Sequence, residues 1–564
     1  MRSVSKRDFA IIQFIIGTVL LLCGLTFYYF AVLNVDYYKT GLLDLGWSDA
    51  SHYFAQAKAL MKDGYPYLNF GYDKLPPICP SGYPALMLPW LKFLPEADSI
   101  LAPFRTNQTI GLFLLLATFA FYSYLKMPLT GGFAALLLAT LPGFFTFCRS
   151  SLSEISTSAL IALAFMFAYL GLKEERRWKI YLSAIFLGLS LNIRVQAFFF
   201  APLLLAMALF PVQGKRLYWV LHCFAVTIAF ALAVSPTLVL NTIQFHSPFK
   251  TGYDFWLAGN WSVKAALFSP SYIPNNAGFL WREFILRPRP VSNAVYFGTG
   301  TCFVPAFVLL ACAGFAFVPL SRFVVCAFLA GFSFLAATVS YAFGQDGRLY
   351  LPLLILLVAV AVLPVMWAAE NLFVARRAVA SLAIFALFAV ACLGYPSRSL
   401  SNIPKRSALR SQMESNRSQA WDALHFPTPP RQSTWWMAQR DFLEMFGHQP
   451  GIILADINPL YLNALLLGPF VAAPLDGERY AAFWRHVVTY DRAQALALVT
   501  RALGQSRPVY ALFVSPKEME EKAARLPQVD GYEWVLADNL PAKAVVLKLS
   551  PKITNEIKSS RREL

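Results

Sequence analysis

Long apolar runs alternate with short polar segments over the first 395 residues of the chain. The first run, residues 9–33, is long enough to cross the hydrocarbon core of a membrane as an α-helix. Three basic residues precede it and no small-residue cleavage site follows, so it is predicted to be retained as a first span. Comparable runs predict further spans, about eleven in all, at 109–125, 129–147, 154–172, two within 180–210, 217–240, two that meet at residues 321–322, 349–369 and 378–395.

The run at residues 180–210 is too long for one short span and is interrupted by Asn192, Arg194 and Gln196. It lies between two basic segments, residues 173–179 and 214–216. Basic loops face the cytoplasm, so a hairpin of two short spans keeps both segments on that side. The pattern therefore predicts a hairpin with Arg194 at its outer tip.

The same charge rule assigns a side to the other polar turns. Six ionisable residues are predicted on the outer side, namely Asp49, Arg149, Glu154, Arg194, Asp346 and Arg348. Ionisable groups close to a membrane are costly and are commonly functional, although some only form structural pairs.

Residues 46–89, between the first two spans, are rich in Tyr, Pro and Asp. Apolar residues at helical spacing predict an amphipathic helix that begins near Ser48, ends before Gly64 and lies on a membrane face. Its polar side carries Asp49, His52 and Gln56. Asp49 falls in the first turn, where the helix dipole keeps a carboxylate ionised, whereas a histidine at the position of His52 is most commonly a surface residue.

The pattern changes after residue 395. Residues 397–431 are polar and contain prolines, as is typical of a linker. Residues 432–550 alternate helical and strand patterns and predict a small extracytoplasmic α/β domain without a catalytic motif of its own, and residues 551–564 form a basic tail predicted to be disordered. The predicted fold class is a polytopic α-helical membrane domain, residues 1–396 with long outer loops at 34–100 and 241–299, followed by this α/β domain.

Composition supports a membrane protein. Of 564 residues, 57% are hydrophobic and 14% charged, and the mean hydropathy is +0.51, which excludes an ordinary soluble fold. The net charge of +17 is spread over short loops and the tail rather than gathered in one stripe, so nucleic acid is not expected as a partner. The eight cysteines show neither a disulfide framework nor zinc spacing.

One reaction needs this arrangement of groups. An enzyme that moves a sugar from a polyprenyl-phosphate carrier must bind a lipid phosphate at the membrane surface and remove a proton from an acceptor hydroxyl. Arginine or lysine suits the phosphate and a carboxylate suits the proton.

Several motifs resemble one family. Asp49-x-x-x-Tyr53 precedes Gly64-Tyr-Pro-Tyr and PSGYPALMLP at 80–89, and SLSEI, GLSLNIRVQ, PTLVLNTIQFHSPFKTGY and DGRLYLP follow at 151–155, 188–196, 236–253 and 346–352. In this order they resemble integral-membrane glycosyltransferases of the GT-C superfamily, in particular the bacterial protein O-mannosyltransferase and lipid A aminoarabinose transferase type. The resemblance covers roughly residues 1–400.

The resemblance implies roles for particular residues. Asp49 would be the catalytic base, and Arg194, Arg348 and Lys74 would bind the carrier phosphate. This chain has Lys74-Leu75-Pro76-Pro77, whereas the family often has Lys directly before Pro-Pro. A further donor or cation site would draw on four residues, Glu154, His52, Arg149 and Asp346.

The activity predicted from residues and resemblance together is an inverting single displacement from a polyprenyl-phosphate sugar to a hydroxyl or phosphate of a glycan, lipid or protein at the outer face, in a bacterial inner membrane. A divalent cation, Mg²⁺ or Mn²⁺, stays open because no ligand spacing requires one. Two other classes compete. A transporter or flippase of lipid-linked sugars would show charges at mid-depth or an internal repeat, and a scaffold that binds through its tail would leave the first-loop residues unexplained.

Overall fold

The computed structural model describes the ranges 6–35, 48–70, 73–208, 216–256, 267–284, 305–342, 344, 347–372, 374, 376–393, 438, 441–447, 449–455, 470–475, 492–540 and 544–552. By their internal contacts the residues fall into two compact units. The first contains Met1–Asp36, Pro80–Tyr83 and Pro103–Leu409, and the second contains Tyr37–Cys79, Pro84–Ala102 and Arg410–Leu564.

The secondary structure is mainly helical. The helices are α1 (Lys6–Tyr28), α2 (Ser48–Asp63), α3 (Gly82–Phe93), α4 (Ala102–Tyr124), α5 (Pro128–Thr140), α6 (Pro142–Cys148), α7 (Glu154–Glu174), α8 (Arg177–Ile193), α9 (Leu203–Ala208), α10 (Arg216–Phe245), α11 (Gly252–Trp256), α12 (Ile273–Phe284), α13 (Pro305–Phe315), α14 (Arg322–Val339), α15 (Leu351–Asn371), α16 (Ala378–Leu393), α17 (Arg492–Gly504) and α18 (Pro516–Lys522). The strands are β1 (Leu68–Phe70), β2 (Asp73–Leu75), β3 (Ile452–Ala455), β4 (Val471–Pro474), β5 (Val509–Phe513), β6 (Tyr532–Asn539) and β7 (Val545–Pro551).

Within the described residues, six helices are long and apolar enough to cross a membrane, or seven if α5 and α6 count as one span. α13 and α16 are shorter apolar helices at two further predicted spans. α8 ends at Ile193 and a 3₁₀ turn follows, so the chain breaks at Arg194 where a hairpin tip was predicted. The protein is thus a polytopic α-helical membrane protein. The eleven spans predicted from the sequence are more than these six or seven, because they also count α8, α9 and the shorter helices α13 and α16.

The predicted third span, residues 129–147, is not one helix. α5 and α6 meet at an angle of 67°. The cause is Pro142, because proline has no backbone N–H and its preceding residue is held out of the helical conformation. Leu141 is accordingly extended, with φ −67° and ψ 123°. The bend places the end of α6 beside the turn that leads into α7.

The core of the first unit lies where these helices cross. α1 packs along α5, and α15 packs against α5, α7, α13 and α16. Buried aromatic side chains fill this core, with Phe144, Phe145 and Phe307 fully enclosed. α10 packs along α8, and a second apolar cluster includes Phe200 and Phe334, whose rings are stacked 4.5 Å apart.

The second unit contains the first-loop segments and the C-terminal region. β1 and β2 form a two-stranded antiparallel ribbon after α2. Five strands form a mixed sheet in the order β4-β3-β5-β7-β6, in which β3 pairs in parallel with β4 and β5, and β7 runs antiparallel to β5 and β6. β1 lies beside β4. The predicted α/β pattern is present. Of its strands, β4 has no period-2 signal in the sequence, because Val-Ala-Ala-Pro is short.

Candidate active site

A buried acid begins helix α7. Glu154 is only 2% exposed and follows a tight turn, in which Ser150 and Leu152 present their carbonyl oxygens inward. The side-chain amide of Asn107 on α4 donates to both carbonyls, at 2.8 Å and 2.6 Å. Because Asn107 is itself fully buried, this clamp fixes the turn and with it the start of α7.

Arg194 reaches Glu154 from α8. Its backbone is extended, with φ −146° and ψ 128°, so its side chain leaves the helical direction. The guanidinium Nη1 lies 2.5 Å from Glu154 Oε1 and 3.4 Å from Ser153 Oγ. The side chain is 12% exposed, so this is a largely desolvated, charge-assisted contact.

Arg348 approaches the same oxygen from the turn before α15. Its Nε lies 3.7 Å from Glu154 Oε1. The Tyr350 hydroxyl donates to the Gly344 carbonyl at 2.8 Å, and the Asn276 amide donates to the carbonyls of Val339 and Tyr341, both at 2.8 Å. These bonds hold the two ends of the connection from α14 to α15, and therefore the position of Arg348.

The cluster of Glu154, Arg194 and Arg348 carries two positive charges and one negative charge. Among the described residues, no group donates a hydrogen bond to Glu154 Oε2. Guanidinium groups present planar sets of donors that match the oxygens of a carboxylate or a phosphate. Of the other predicted residues, Arg149 lies at the end of α6 over the Phe145 ring, 5.3 Å from its centroid, and Asp346 lies outside the described residues.

In the second unit, Asp49 lies in the first turn of α2, as predicted. The prediction that His52 lies at the surface is wrong, because the side chain is 3% exposed, and Gln56 is also buried. Burial lowers the pKa of His52 to about 4, although the nearby Asp49 charge opposes the shift. His52 is therefore neutral at physiological pH and does not supply a cation for a phosphate. A buried neutral imidazole and a half-buried carboxylate share the start of this helix.

Lys74 belongs to a separate group on the β1–β2 ribbon. Its ammonium lies 2.6 Å from Asp63 Oδ2 and 4.5 Å from the centroid of the Tyr67 ring. The Tyr67 hydroxyl donates to the same carboxylate at 2.6 Å. Hydrogen bonds from Lys74 and Tyr67 hold the pKa of Asp63 below its usual range. Lys74 is 58% exposed, so its pair with Asp63 is a solvent-facing one.

Within the described ranges, no group of three or more His, Cys, Asp and Glu side chains is arranged to hold a metal ion. Two of the acids predicted as site residues, Asp49 and Glu154, belong to different units.

Sequence reasoning identified Glu154 and the two arginines that meet it, but not the residues that position them. Asn107, Asn192 and Asn276 are buried, and each donates to backbone carbonyls of a neighbouring element. The signal that could have found them is a polar amide within or beside an apolar helix, because burying such a group is costly unless it is hydrogen-bonded. From the sequence alone, Asn192 is only an interruption of an apolar run.

Comparisons with known proteins identify the fold. No family model matches the sequence, and no curated protein sequence matches it. Among solved structures, the chain is similar to ArnT from Cupriavidus metallidurans bound to undecaprenyl phosphate, with a TM-score of 0.55 and 12% identity over 94% of this chain and 97% of that one. The apo state of the same protein gives a TM-score of 0.54, with the same identity and coverage.

At this identity the similarity establishes the fold. The chain shares the fold of that protein over nearly its whole length, with a helical membrane part and a C-terminal region that contains a sheet. The predicted fold class is thereby confirmed.

Proposed function

We propose that the protein is a membrane glycosyltransferase that takes a sugar from a polyprenyl-phosphate carrier. The observation that supports this most directly is the convergence of Arg194 and Arg348 on the buried Glu154. Both guanidinium groups lie against the same carboxylate oxygen, and guanidinium groups are well suited to bind phosphate oxygens. The GT-C-type fold, found also in an ArnT crystallised with undecaprenyl phosphate, supports the same class of carrier.

In the proposed reaction, an acceptor oxygen forms a bond to the anomeric carbon of the sugar while the bond from that carbon to the carrier phosphate oxygen breaks. The electron pair of the broken bond leaves with the phosphate, whose developing charge Arg194 and Arg348 offset. The proton of the acceptor passes to the Asp49 carboxylate as general base. A single displacement of this kind inverts the anomeric configuration.

We propose further that the reaction occurs at the outer face of a bacterial inner membrane, with a hydroxyl or phosphate of a glycan, lipid or protein as acceptor. The sidedness is supported by the basic segments at residues 173–179 and 376–377. Val195→Cys, at an exposed position next to Arg194, should react with an impermeant thiol reagent added outside, in a background without reactive native cysteines. Arg176→Cys is the matched cytoplasmic position. Labelling of Val195→Cys only from the cytoplasmic side would overturn the proposed orientation.

The central experiment measures carrier binding and sugar transfer with purified full-length protein. Undecaprenyl phosphate is titrated first, and a panel of polyprenyl-phosphate sugars is then tested for release of the carrier phosphate. Arg194→Ala and Arg348→Ala should each weaken binding by about ten- to a hundredfold, because each removes a charge-assisted contact. Arg377→Ala is the control, since Arg377 also donates to a partner, Asn371 Oδ1 at 2.6 Å, but from the residues that follow α15.

The outcomes separate the competing classes. Carrier binding without release of phosphate from any sugar donor would favour a transporter of lipid-linked sugars. If both arginine variants bind undecaprenyl phosphate as tightly as Arg377→Ala does, the phosphate site is placed wrongly.

A further inference from the structure

The side chain of Asn192 occupies a gap in the backbone hydrogen bonding of helix α10. Pro236 lies inside this helix and has no N–H to donate to the preceding turn. One residue later, the N–H of Thr237 would ordinarily donate to the carbonyl of Ala233. It donates to Asn192 Oδ1, at 3.1 Å.

Both ends of the Asn192 amide are used at this gap. Its Nδ2 donates to the Ala233 carbonyl at 2.6 Å, and its Oδ1 also accepts from the Thr237 hydroxyl at 2.6 Å. The amide therefore binds both the donor and the acceptor that a continuous helix would join. A side-chain amide has N–H donors and an oxygen that accepts two hydrogen bonds, so it can bind a backbone carbonyl and a backbone N–H at the same time. Asn192 is only 6% exposed.

The backbone around Asn192 is held as closely as its side chain. A Cβ at Gly188, one turn earlier, would come within 2.7 Å of the Phe230 carbonyl oxygen, so α8 and α10 are in backbone contact there. On another side, a Cβ at Gly82 would collide with the carbonyl of Asn192 itself. The last turn of α8 is thus fixed from two directions.

Arg194 follows two residues later, at the point where α8 ends. Its N–H donates to Ser190 at 3.0 Å, and its side chain then turns to Glu154. The link between α10 and Arg194 therefore consists of the hydrogen bonds of the Asn192 side chain and the two residues of backbone that follow it.

We infer that Asn192 is a positioning residue for Arg194, one that ties the proline break in α10 to the phosphate site. The inference rests on the proposed function, because it assigns Asn192 an effect on carrier binding through Arg194. If Asn192 were only a packing residue, its loss would affect stability but not the specific contribution of Arg194.

The test is a double-mutant cycle on the full-length protein, with undecaprenyl phosphate in detergent as the probe and thermal unfolding recorded for each variant. Asn192→Ala should weaken binding by about three- to tenfold in the otherwise unaltered protein. In an Arg194→Ala background the same substitution should change binding by less than about twofold, because the residue that it positions is absent.

A milder variant and a matched control accompany the cycle. Thr237→Val keeps the size of the side chain and removes only the hydroxyl that donates to Asn192, so it reports on the bridge if Asn192→Ala does not fold, and it is run through the same two backgrounds. Asn371→Ala removes a buried asparagine that also donates to a helix carbonyl, at 2.8 Å, but at the far end of α15, about 30 Å along the helix from its start. It should leave carrier binding unchanged.

Equal losses of binding in both backgrounds would overturn the inference about Asn192 and leave the proposed function intact. The absence of any loss in Asn192→Ala or Thr237→Val would do the same. If Arg194→Ala itself binds undecaprenyl phosphate normally, the proposed phosphate site is wrong and the inference falls with it. The two failures are therefore distinguishable in one set of titrations.

Discussion

Two buried glutamates lie in the first turns of helices in the two units of the molecule, and their surroundings differ. Glu518 in the C-terminal region and Glu154 in the membrane part are 3% and 2% exposed, and each pairs with a basic residue that is 12% exposed. Glu518 satisfies both oxygens locally. Its Oε2 accepts from the Val514 N–H at 2.8 Å and its Oε1 from Lys522 at 2.7 Å, all within one short segment.

Glu154 is held by residues that are distant in sequence. Arg194 and Arg348 both approach Oε1, while Oε2 accepts no hydrogen bond from the described part of the chain. A completed local cap such as that of Glu518 is a structural element, since nothing remains for a ligand to add. Two guanidinium groups that meet at one buried acid bring together donors of the kind that bind a phosphate.

The largest effect should come from a third acid in a first helical turn, Asp49. Asp49→Asn keeps the shape of the side chain but loses its basicity, so turnover should fall by about a hundred- to ten-thousandfold while carrier affinity stays nearly constant. Single-turnover rates and carrier titrations measure the two effects. Asp63→Asn, at the other end of α2, is the control, and normal turnover in Asp49→Asn would remove the base assignment.

The comparison of the two glutamates is sharpened by Glu154→Gln and Glu518→Gln. Each should lower the free energy of unfolding by about 3–5 kcal/mol, because removing one partner of a buried pair leaves a charge uncompensated. Undecaprenyl phosphate should then raise the unfolding temperature more in Glu154→Gln than in the unaltered protein, since the phosphate replaces the lost negative charge. In Glu518→Gln the rise should be the usual one. Equal ligand-induced shifts in both variants would erase the distinction between the two sites.

His52 provides a pH-dependent test of burial in α2. Its pKa is lowered to about 4 in the folded protein, whereas an unfolded histidine titrates near 6.5, so between these values the unfolded chain binds more protons. Stability from this residue is full above pH 6.5 and is lost as the pH falls toward 4, by roughly 2–4 kcal/mol.

Thermal unfolding from pH 7.5 to 4.5 measures this loss. His52→Gln, which does not titrate, should show a smaller decrease over the same range. If the two curves decrease in parallel, His52 is not the buried neutral group that its surroundings indicate.

The smallest effect is expected for Lys74→Ala. The ammonium is exposed and already engaged by Asp63 and Tyr67, so the free energy of unfolding should change by less than about 1 kcal/mol. Carrier affinity should change by less than about twofold. A tenfold loss of affinity would instead return Lys74 to the phosphate site that the family resemblance implies.

Local patterns predicted much of the fold. α2 ends at Asp63, and Gly64 follows with φ +68°, as expected of a glycine that terminates a helix. β3, α17, β5 and the later strands show the alternation of helices and strands that was predicted for residues 432–550, because alternating and helical periods are strong in this region.

The arrangement of the site could not be predicted in the same way. Glu154 lies 40 residues from Arg194 and more than four times as far from Arg348, so their meeting depends on how three helices pack. Burial of His52 was missed because hydrophobic periodicity indicates one buried side of a helix but not whether other elements cover the polar side. The bend at Leu141 was missed because Pro142 lies within an otherwise continuous apolar run.

The contact between β1 and β4 has a consequence for how the protein is made. The β1–β2 ribbon ends at Leu75, whereas β4 begins at Val471, about 400 residues later in the chain. At the usual pace of synthesis the ribbon leaves the ribosome roughly 20–80 seconds before the strand that it lies beside. The second unit is therefore completed only near the end of translation, after the intervening membrane helices have been synthesised.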